Sequence, residues 1–415
     1  MFGEAASRPA TIGGEAIPDE PDLGRLRHER SARLRHQLNS AGIDALLVLG
    51  TSNVQYVTGA AMPSVDASRA CLLRPVALVT AGDRAPHLFT PYPDGAAGRL
   101  PTDHIHPPLL VDLDEAAPAI AATLAEHIDA TASLATDEVT PPLLAALGDR
   151  EPANGASVLH SARLRKTVDE LACTRASQRI NERAMAEVHK HLHAGVRQRE
   201  LTARFVGRVF DHGASGVGID TIWQVMPTHR SAGPWTVHGD VAYPTPPGDR
   251  VLEAGDVLWV DSGILYEGYA SDFGRTWIVD QEPTEEQQSQ FDRWAAVMRG
   301  ALAAVRPGAT GADVCAAARN ADPTSLDAGT SPWLDHFYVG HGVGVDPAEM
   351  PLLGTDLGPE FDASVVLTPG MVLVLEPVIW QDGIGGYRSE DIVVVTDDGW
   401  FPLSDHTYAP FTEPA

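Results

Sequence analysis

Cysteine is scarce in this chain. Its 415 residues hold three, Cys71, Cys173 and Cys315, far apart and without a CxxC spacing. Neither a disulfide framework nor a thiolate zinc site is indicated, and a reducing, cytoplasmic setting fits. Long hydrophobic runs are missing as well. No stretch reaches the ~18 apolar residues of a membrane span, and the longest candidates are broken by Pro369, Gly370 and Glu376. Basic charge is short: 30 Lys and Arg stand against 56 Asp and Glu, a net charge of −26. That balance repels a phosphate backbone or an anionic membrane surface, which argues against nucleic acid and membrane as partners. The stretch from Met1 to Asp22 lacks the basic start and apolar core of a secretory signal; rich in Gly, Pro, Ala and Glu, it reads as a flexible arm. No GxSxG elbow, Walker motif or dinucleotide fingerprint occurs, and no internal repeat.

What is present is an ordinary globular mix, 44% hydrophobic and 21% charged, long enough for about two to three domains. Residues 23–37 recur at helical spacing, and Ile43–Gly50 reads as a buried strand. Strand, helix, short strand and helix follow over 71–80, 116–128, 133–137 and 141–147, an α/β beginning. After the Pro- and Gly-punctuated stretch 150–156, Thr167 and Glu170 have capping-box spacing at the start of a long helix, which puts a domain boundary near residue 163. Beyond it, short strands (257–261, 270–279, 371–378, 391–396) alternate with helices (285–305, 311–319), an α+β domain built on antiparallel hairpins. The expected division is an arm over 1–22, an N-terminal domain over 23–163 and a C-terminal domain over 164–415.

Two hairpins carry paired acids. If the first turns near Tyr266 and Glu267, Asp261 and Asp272 stand directly opposite each other. Like charges so placed destabilise a sheet and call for a compensating cation. In the second, the glycines at 383, 385 and 386 mark the loop, and a turn centred on Gly383 sets Glu376 across from Glu390. Between the hairpins, Gly340 and Gly342 flank His341 in an apolar setting. Four carboxylates and one imidazole suit two first-row divalent ions, Mn²⁺, Fe²⁺, Co²⁺ or Zn²⁺. Two such ions held close together activate water and polarise a carbonyl, so the implied chemistry is metal-assisted hydrolysis or a related Lewis-acid reaction.

The series Asp261, Asp272, His341, Glu376, Glu390, within the strings VDSG, YASDFGRTW, GHGVG, LEP and RSED, resembles the pita-bread metallopeptidases, in particular the aminopeptidase P, prolidase and creatinase branch. The resemblance covers residues 23 to 410. It implies a C-terminal pita-bread fold preceded by an α/β creatinase-type domain, and an Xaa-Pro aminopeptidase or dipeptidase cleaving short peptides. It also implies two divalent ions, Mn²⁺ ahead of Fe²⁺, Co²⁺ or Zn²⁺, and a homodimer. By the same analogy Asp261 is a bidentate ligand, Asp272 and Glu390 bridge the ions, His341 and Glu376 complete one shell, and Arg388 orients Glu390. Two positions depart from the branch. The histidine it carries seven residues after the ligand histidine is Ala348 here, and the histidine preceding the first aspartate falls at Pro244. His238, His229 and His336 are the candidate substitutes for proton transfer, His238 first. Alternatives stay open: a non-peptidase metalloenzyme of the same fold, such as a lyase of the dimethylsulfoniopropionate-lyase type or a small-molecule amide hydrolase, and a non-catalytic binding protein. Trp223, Trp235, Trp333, Tyr338 and Tyr387 either line a pocket or sit in the core.

Overall fold

The computed structural model describes residues 10–62, 73–80, 82–83, 85–229, 231, 248–322, 339–355 and 357–406. Cys71, Trp235, His238, Pro244, Trp333, His336 and Tyr338 lie outside them. The chain forms two compact units, one of Pro21–Asp169 and one of Met1–Glu20 with Glu170–Ala415.

In the first unit, a six-stranded mixed sheet runs in the order 105–106, 87–89, 76–80, 45–48, 134–136, 153–154. The central strand Ala45–Val48 is buried on both faces, which is why it reads as an unbroken apolar run. The helix Leu23–Ser40 starts at Asp22, whose carboxylate accepts the N–H groups of Gly24 and Arg25. Helices over Ala117–His127 and Pro141–Leu147 were expected almost to the residue. The helices Thr51–Thr58 and Gly155–Arg163 were not expected. The second of these begins at the end of the Pro- and Gly-punctuated stretch 150–156, and it is capped by the Asn154 side chain, which accepts the Ser157 N–H.

The second unit is antiparallel. One sheet holds Gly216–Val225, Val257–Tyr266 and Phe273–Ile278, with the short Tyr269–Ala270 at its edge. Another runs 349–353, 340–342, 372–375, 391–395, 400–402, and 378–381 pairs with 385–388 as a ribbon. Helices Val168–His189, Gln198–Asp211, Glu285–Ala304 and Gly311–Ala321 pack on these strands. Trp223 and Tyr387 are core aromatics: Trp223 is buried near Trp277, and Tyr387 packs against Phe291 and Trp294. Part of the N-terminal arm is ordered. Thr11–Ile12 pairs with Glu15–Ala16, and the turn residues Gly13 and Gly14 donate their N–H groups to Asp397, so a flexible arm does not describe this stretch. Both described cysteines, Cys173 and Cys315, are buried.

Candidate metal centre

Asp261 sits inside the strand Val257–Tyr266, and Asp272 immediately precedes Phe273–Ile278. The turn between them is a two-residue hairpin. Tyr266 pairs with Tyr269 across Glu267 and Gly268, both at positive φ (49° and 81°), the combination whose twist suits antiparallel strands. This turn places Asp261 opposite Gly274, not opposite Asp272, so the direct pairing expected from the sequence is corrected by two residues. Side chains alternate with a period of two, so a two-residue slip keeps both aspartates on one face. The register also explains Gly274. A β-carbon there would lie 2.5 Å from a Glu390 carboxylate oxygen and 2.8 Å from Nη1 of Arg388. The residue facing Asp261 must be glycine for Glu390 to enter.

The second hairpin has the expected register. Leu375 pairs with Asp391 and Val378 with Arg388, which brackets Glu376 and Glu390 across from one another. The two hairpins are tied together by Glu390 N–H donating to Gly274 O at 3.2 Å and by Ser389 Oγ donating to the same carbonyl at 3.1 Å. His341 lies between Leu352 and Val374 on the short strand Gly340–Gly342. Its flanking glycines are required by close backbone approach, since a β-carbon at either would collide with the carbonyl oxygen of Val374 or Met350.

The five residues converge. One oxygen each from Asp261, Asp272 and Glu390 lie within 4.8 Å of one another. Nε2 of His341 stands 3.0 Å from Glu376 Oε1 and 3.4 Å from Asp272 Oδ2, and its Nδ1 is 2.8 Å from the Gly342 carbonyl. A proton on Nδ1 satisfies that carbonyl and aims Nε2 at the carboxylates, where it gives Glu376 a hydrogen bond without metal and could offer its lone pair to an ion instead. Arg388 reaches three of the acids: Asp261 at 3.1 Å, Glu390 at 2.8 Å, and Glu376. Its guanidinium also lies 4.4 Å over the ring of Trp259, two residues before Asp261 on the same face. All six charged or titratable groups are at most 7% exposed.

Such crowding perturbs every titration. Burial first, then the neighbouring carboxylates, raises Asp272 well above the carboxylate range. Burial pushes Glu390 up to about 8 despite Arg388, and burial also raises Asp261 against the pull of Arg388. For Glu376 burial acts upward, but Arg388 and the hydrogen bond from His341 together outweigh it and hold the group at about 2. His341 is raised: its burial is outweighed by the bond and charge of Glu376.

With all four carboxylates ionised, one guanidinium leaves a buried negative excess, which is costly unless protons or metal cations neutralise it. Asp261 Oδ1 and Glu390 Oε1 are buried without a hydrogen-bond partner. Oxygen donors with one imidazole, and unsatisfied oxygens aimed inward, fit hard to borderline divalent ions.

Several supporting residues were not anticipated. Gln178 accepts the Asp272 N–H at 3.2 Å and donates to Glu182 at 3.2 Å. Arg275 donates to the carbonyls of Gly274 and Glu390, and Thr276 and Arg388 exchange hydrogen bonds. The signal for Arg275 was available in the string DFGRTW: a charged residue in the middle of a buried strand needs partners. Of the proton-transfer candidates, His229 is described; it is exposed, 3.9 Å from Asp382. Ala348 is exposed on the loop that leads to Glu349–Leu353.

A buried carboxylate and imidazole cluster on facing antiparallel hairpins is a donor set that can hold divalent ions. The signature of metallopeptidase family M24 matches residues 172–397, and that of the creatinase/prolidase N-terminal domain matches 30–155. The chain belongs to metallopeptidase family M24, with a creatinase-type N-terminal domain before the pita-bread domain. Among curated relatives, an Xaa-Pro dipeptidase of Pyrococcus furiosus is 31% identical over 242 residues, 58% of this chain and 63% of the relative. The probable dipeptidase PepE of Mycobacterium tuberculosis is 32% identical over 245 residues, 58% and 59% of the two chains. The match thus spans less than two thirds of the length of these relatives. Among solved structures, dipeptidase PepE from Mycobacterium ulcerans superposes with a TM-score of 0.72 at 25% identity, covering 95% of this chain and 100% of that one. The prolidase from Pyrococcus horikoshii OT3 shares the fold, with a TM-score of 0.70 at 24% identity over 91% and 98%.

Proposed function

We propose that this chain is a metal-dependent peptidase that cleaves short Xaa-Pro peptides, as an Xaa-Pro dipeptidase or aminopeptidase. The observation that carries the reading is the buried set Asp261, Asp272, His341, Glu376 and Glu390, whose crowded carboxylates and unsatisfied oxygens suit cations. The curated relatives named as Xaa-Pro dipeptidases support the substrate class. Two divalent ions, Mn²⁺ foremost, would be held by these five side chains and would supply Lewis acidity, polarising an amide carbonyl and activating water.

The chain's own residues supply the rest. His341 presents Nε2 with Nδ1 fixed on the Gly342 carbonyl. Arg388 is a positioning residue: it holds Asp261, Glu376 and Glu390 at fixed separations. Proton transfer to the leaving amine is assigned to His238, with His229 and His336 as the other candidates, because Ala348 carries no titratable group. A homodimer and a cytoplasmic location complete the proposal. They rest on family resemblance and on the scarcity of cysteine; no helix among the described residues is long and apolar enough to cross a membrane. In the proposed division, residues 23–163 form the N-terminal domain and 164–415 the catalytic one.

The test is a panel of Xaa-Pro dipeptides and tripeptides assayed with Mn²⁺, Co²⁺ and Zn²⁺, before and after chelation. Metal-dependent release of the residue preceding proline is expected. Uniform failure with every metal, alongside turnover of a non-peptide substrate, would overturn the assignment.

A further inference from the structure

A second cluster of ligand-type side chains lies in the Pro21–Asp169 unit, and hydrolysis at the carboxylate centre makes no use of it. The strand His87–Phe89 runs parallel to Ile105–His106, with Leu88 paired to Ile105 and Phe89 to His106. Alternation and register place His87, Phe89 and His106 on one face of the sheet, and His104 ends the 3-10 turn Thr102–His104 just before the second strand. The helix Ala117–His127 covers that face, with Ile120 and Leu124 packed in the same core as Phe89, and it ends on His127. Three imidazoles meet there. The ring centroids of His87, His106 and His127 are 5.1, 4.4 and 5.4 Å apart, taken as the pairs 87–106, 87–127 and 106–127. One ring nitrogen from each falls within 4.8 Å of the other two.

We propose that His87, His106 and His127 form a second metal site, separate from the carboxylate centre, that takes one borderline transition ion of the Zn²⁺ class. Nδ1 of His87 and Nε2 of His106 stand 2.9 Å apart. The nitrogens of a tetrahedral Zn²⁺ shell stand roughly 3.3 Å apart, given Zn–N bonds of about 2.0–2.1 Å, so a few tenths of an ångström separate the metal-free pair from a ligating one. The ring behind is oriented for the task. Nε2 of His87 faces Asp83 Oδ2 at 3.2 Å, and that carboxylate accepts the hydroxyl of Thr80 at 2.6 Å. A carboxylate that takes the outer N–H of a histidine leaves the inner nitrogen's lone pair free to bind metal. His104 is stacked on His87 at 4.1 Å and 5°, with its Nδ1 turned to the carbonyls of Ala85 and Pro86. It serves as a wall rather than a ligand. His127 closes a helix, where the partial negative charge of the last carbonyls favours a cation. Three nitrogens leave the fourth tetrahedral position to water, and the bound ion ties two strands to the helix end.

All-nitrogen donors distinguish this site from the oxygen-rich centre, and the two can be tested independently. Full-length protein carrying Asp272→Asn and Glu390→Gln, which disables the carboxylate centre, is stripped with chelator and titrated with Co²⁺. One equivalent is expected to bind, with the visible absorption of four-coordinate Co²⁺, and one equivalent of Zn²⁺ should displace it. Adding His106→Gln and His127→Gln, at half-buried positions, should abolish both the equivalent and the absorption. His127→Gln alone, at the helix end, reports the same loss with the least disturbance of the sheet. Asp83→Asn should weaken Co²⁺ binding about 10–100-fold without removing it. A chain that binds no Co²⁺ once the carboxylate centre is disabled, or one whose bound equivalent survives the histidine substitutions, would overturn the proposal. Neither result bears on whether the carboxylate centre works.

Discussion

Replacing Arg388 with methionine is the sharpest perturbation of the carboxylate cluster, because it removes a cation that contacts three of its acids and keeps much of the side-chain volume. Nη1 lies 3.1 Å from Asp261, Nη2 lies 2.8 Å from Glu390, and the same nitrogen contacts Glu376. The group is 2% exposed, so solvent does little to screen these pairs. At an effective dielectric of about 20, each contact near 3 Å corresponds to roughly 5 kcal/mol of bare attraction. Most of that offsets desolvation, and removing one partner of a buried pair costs about 3–5 kcal/mol net. At about 2–4 °C per kcal/mol for a domain of this size, metal-free Arg388→Met should melt roughly 6–20 °C below the metal-free parent. Divalent ions supply positive charge to the same carboxylates, so the loss measured in saturating Mn²⁺ should be less than half as large. The assay is calorimetry or circular dichroism on both proteins with and without metal. Equal losses in the two forms, or no loss in the metal-free form, would show that Arg388 does not compensate the charge that the ions are proposed to neutralise.

Three further outcomes follow from the same geometry. Gly274→Ala puts a methyl group 2.5 Å from the Glu390 carboxylate; overpacking of this kind costs about 1–3 kcal/mol, and displacement of Glu390 should lower metal affinity, read by calorimetric titration. Asp272→Asn removes a carboxylate that burial and its acidic neighbours raise well above its usual range. The metal-free variant should melt a few degrees higher by calorimetry, while Xaa-Pro hydrolysis falls by at least the ~100-fold seen when support around metal ligands is lost. The pH dependence of the metal-free protein has a definite sign. Glu390 is pushed from 4.5 to about 8, and Asp391 and Glu182 are raised by burial to about 6 and about 7. The folded state therefore holds protons that the unfolded state has released, and stability present below about pH 4.5 is lost as pH rises toward 8. Urea midpoints at pH 5, 6.5 and 8 should fall in that order without metal and flatten with Mn²⁺; a metal-free midpoint that rises across this range would contradict the assignment.

The acids and the histidine of the centre are legible in the sequence because each sits in or directly beside a short apolar strand, where an unpaired charge is anomalous. The second hairpin's register followed from its glycines. The first hairpin pairs two residues off the expected register, because the turn centres on Glu267 and Gly268, where Gly268 takes the positive φ that the turn needs, yet the period of a strand preserves the shared face. Gly216–Val225 carries little strand signal of its own, because glycines at 216 and 218 and Asp220 interrupt its alternation; pairing with Val257–Tyr266 stabilises it as a strand. Gln178 and Glu182 lie far from the ligand motifs and look like ordinary polar residues of a helix. Their place around the centre is set by tertiary packing that one sequence does not encode locally. The three-histidine cluster was invisible for the same reason: His87, His106 and His127 come from two strands and a helix end.

The most direct test of the central claim is anomalous diffraction at the manganese edge from crystals of the full chain grown with Mn²⁺. The account predicts two anomalous peaks in the space enclosed by Asp261, Asp272, His341, Glu376 and Glu390, within bonding distance of their oxygens and of Nε2 of His341. A map in which that space holds no anomalous density at saturating Mn²⁺ would contradict it.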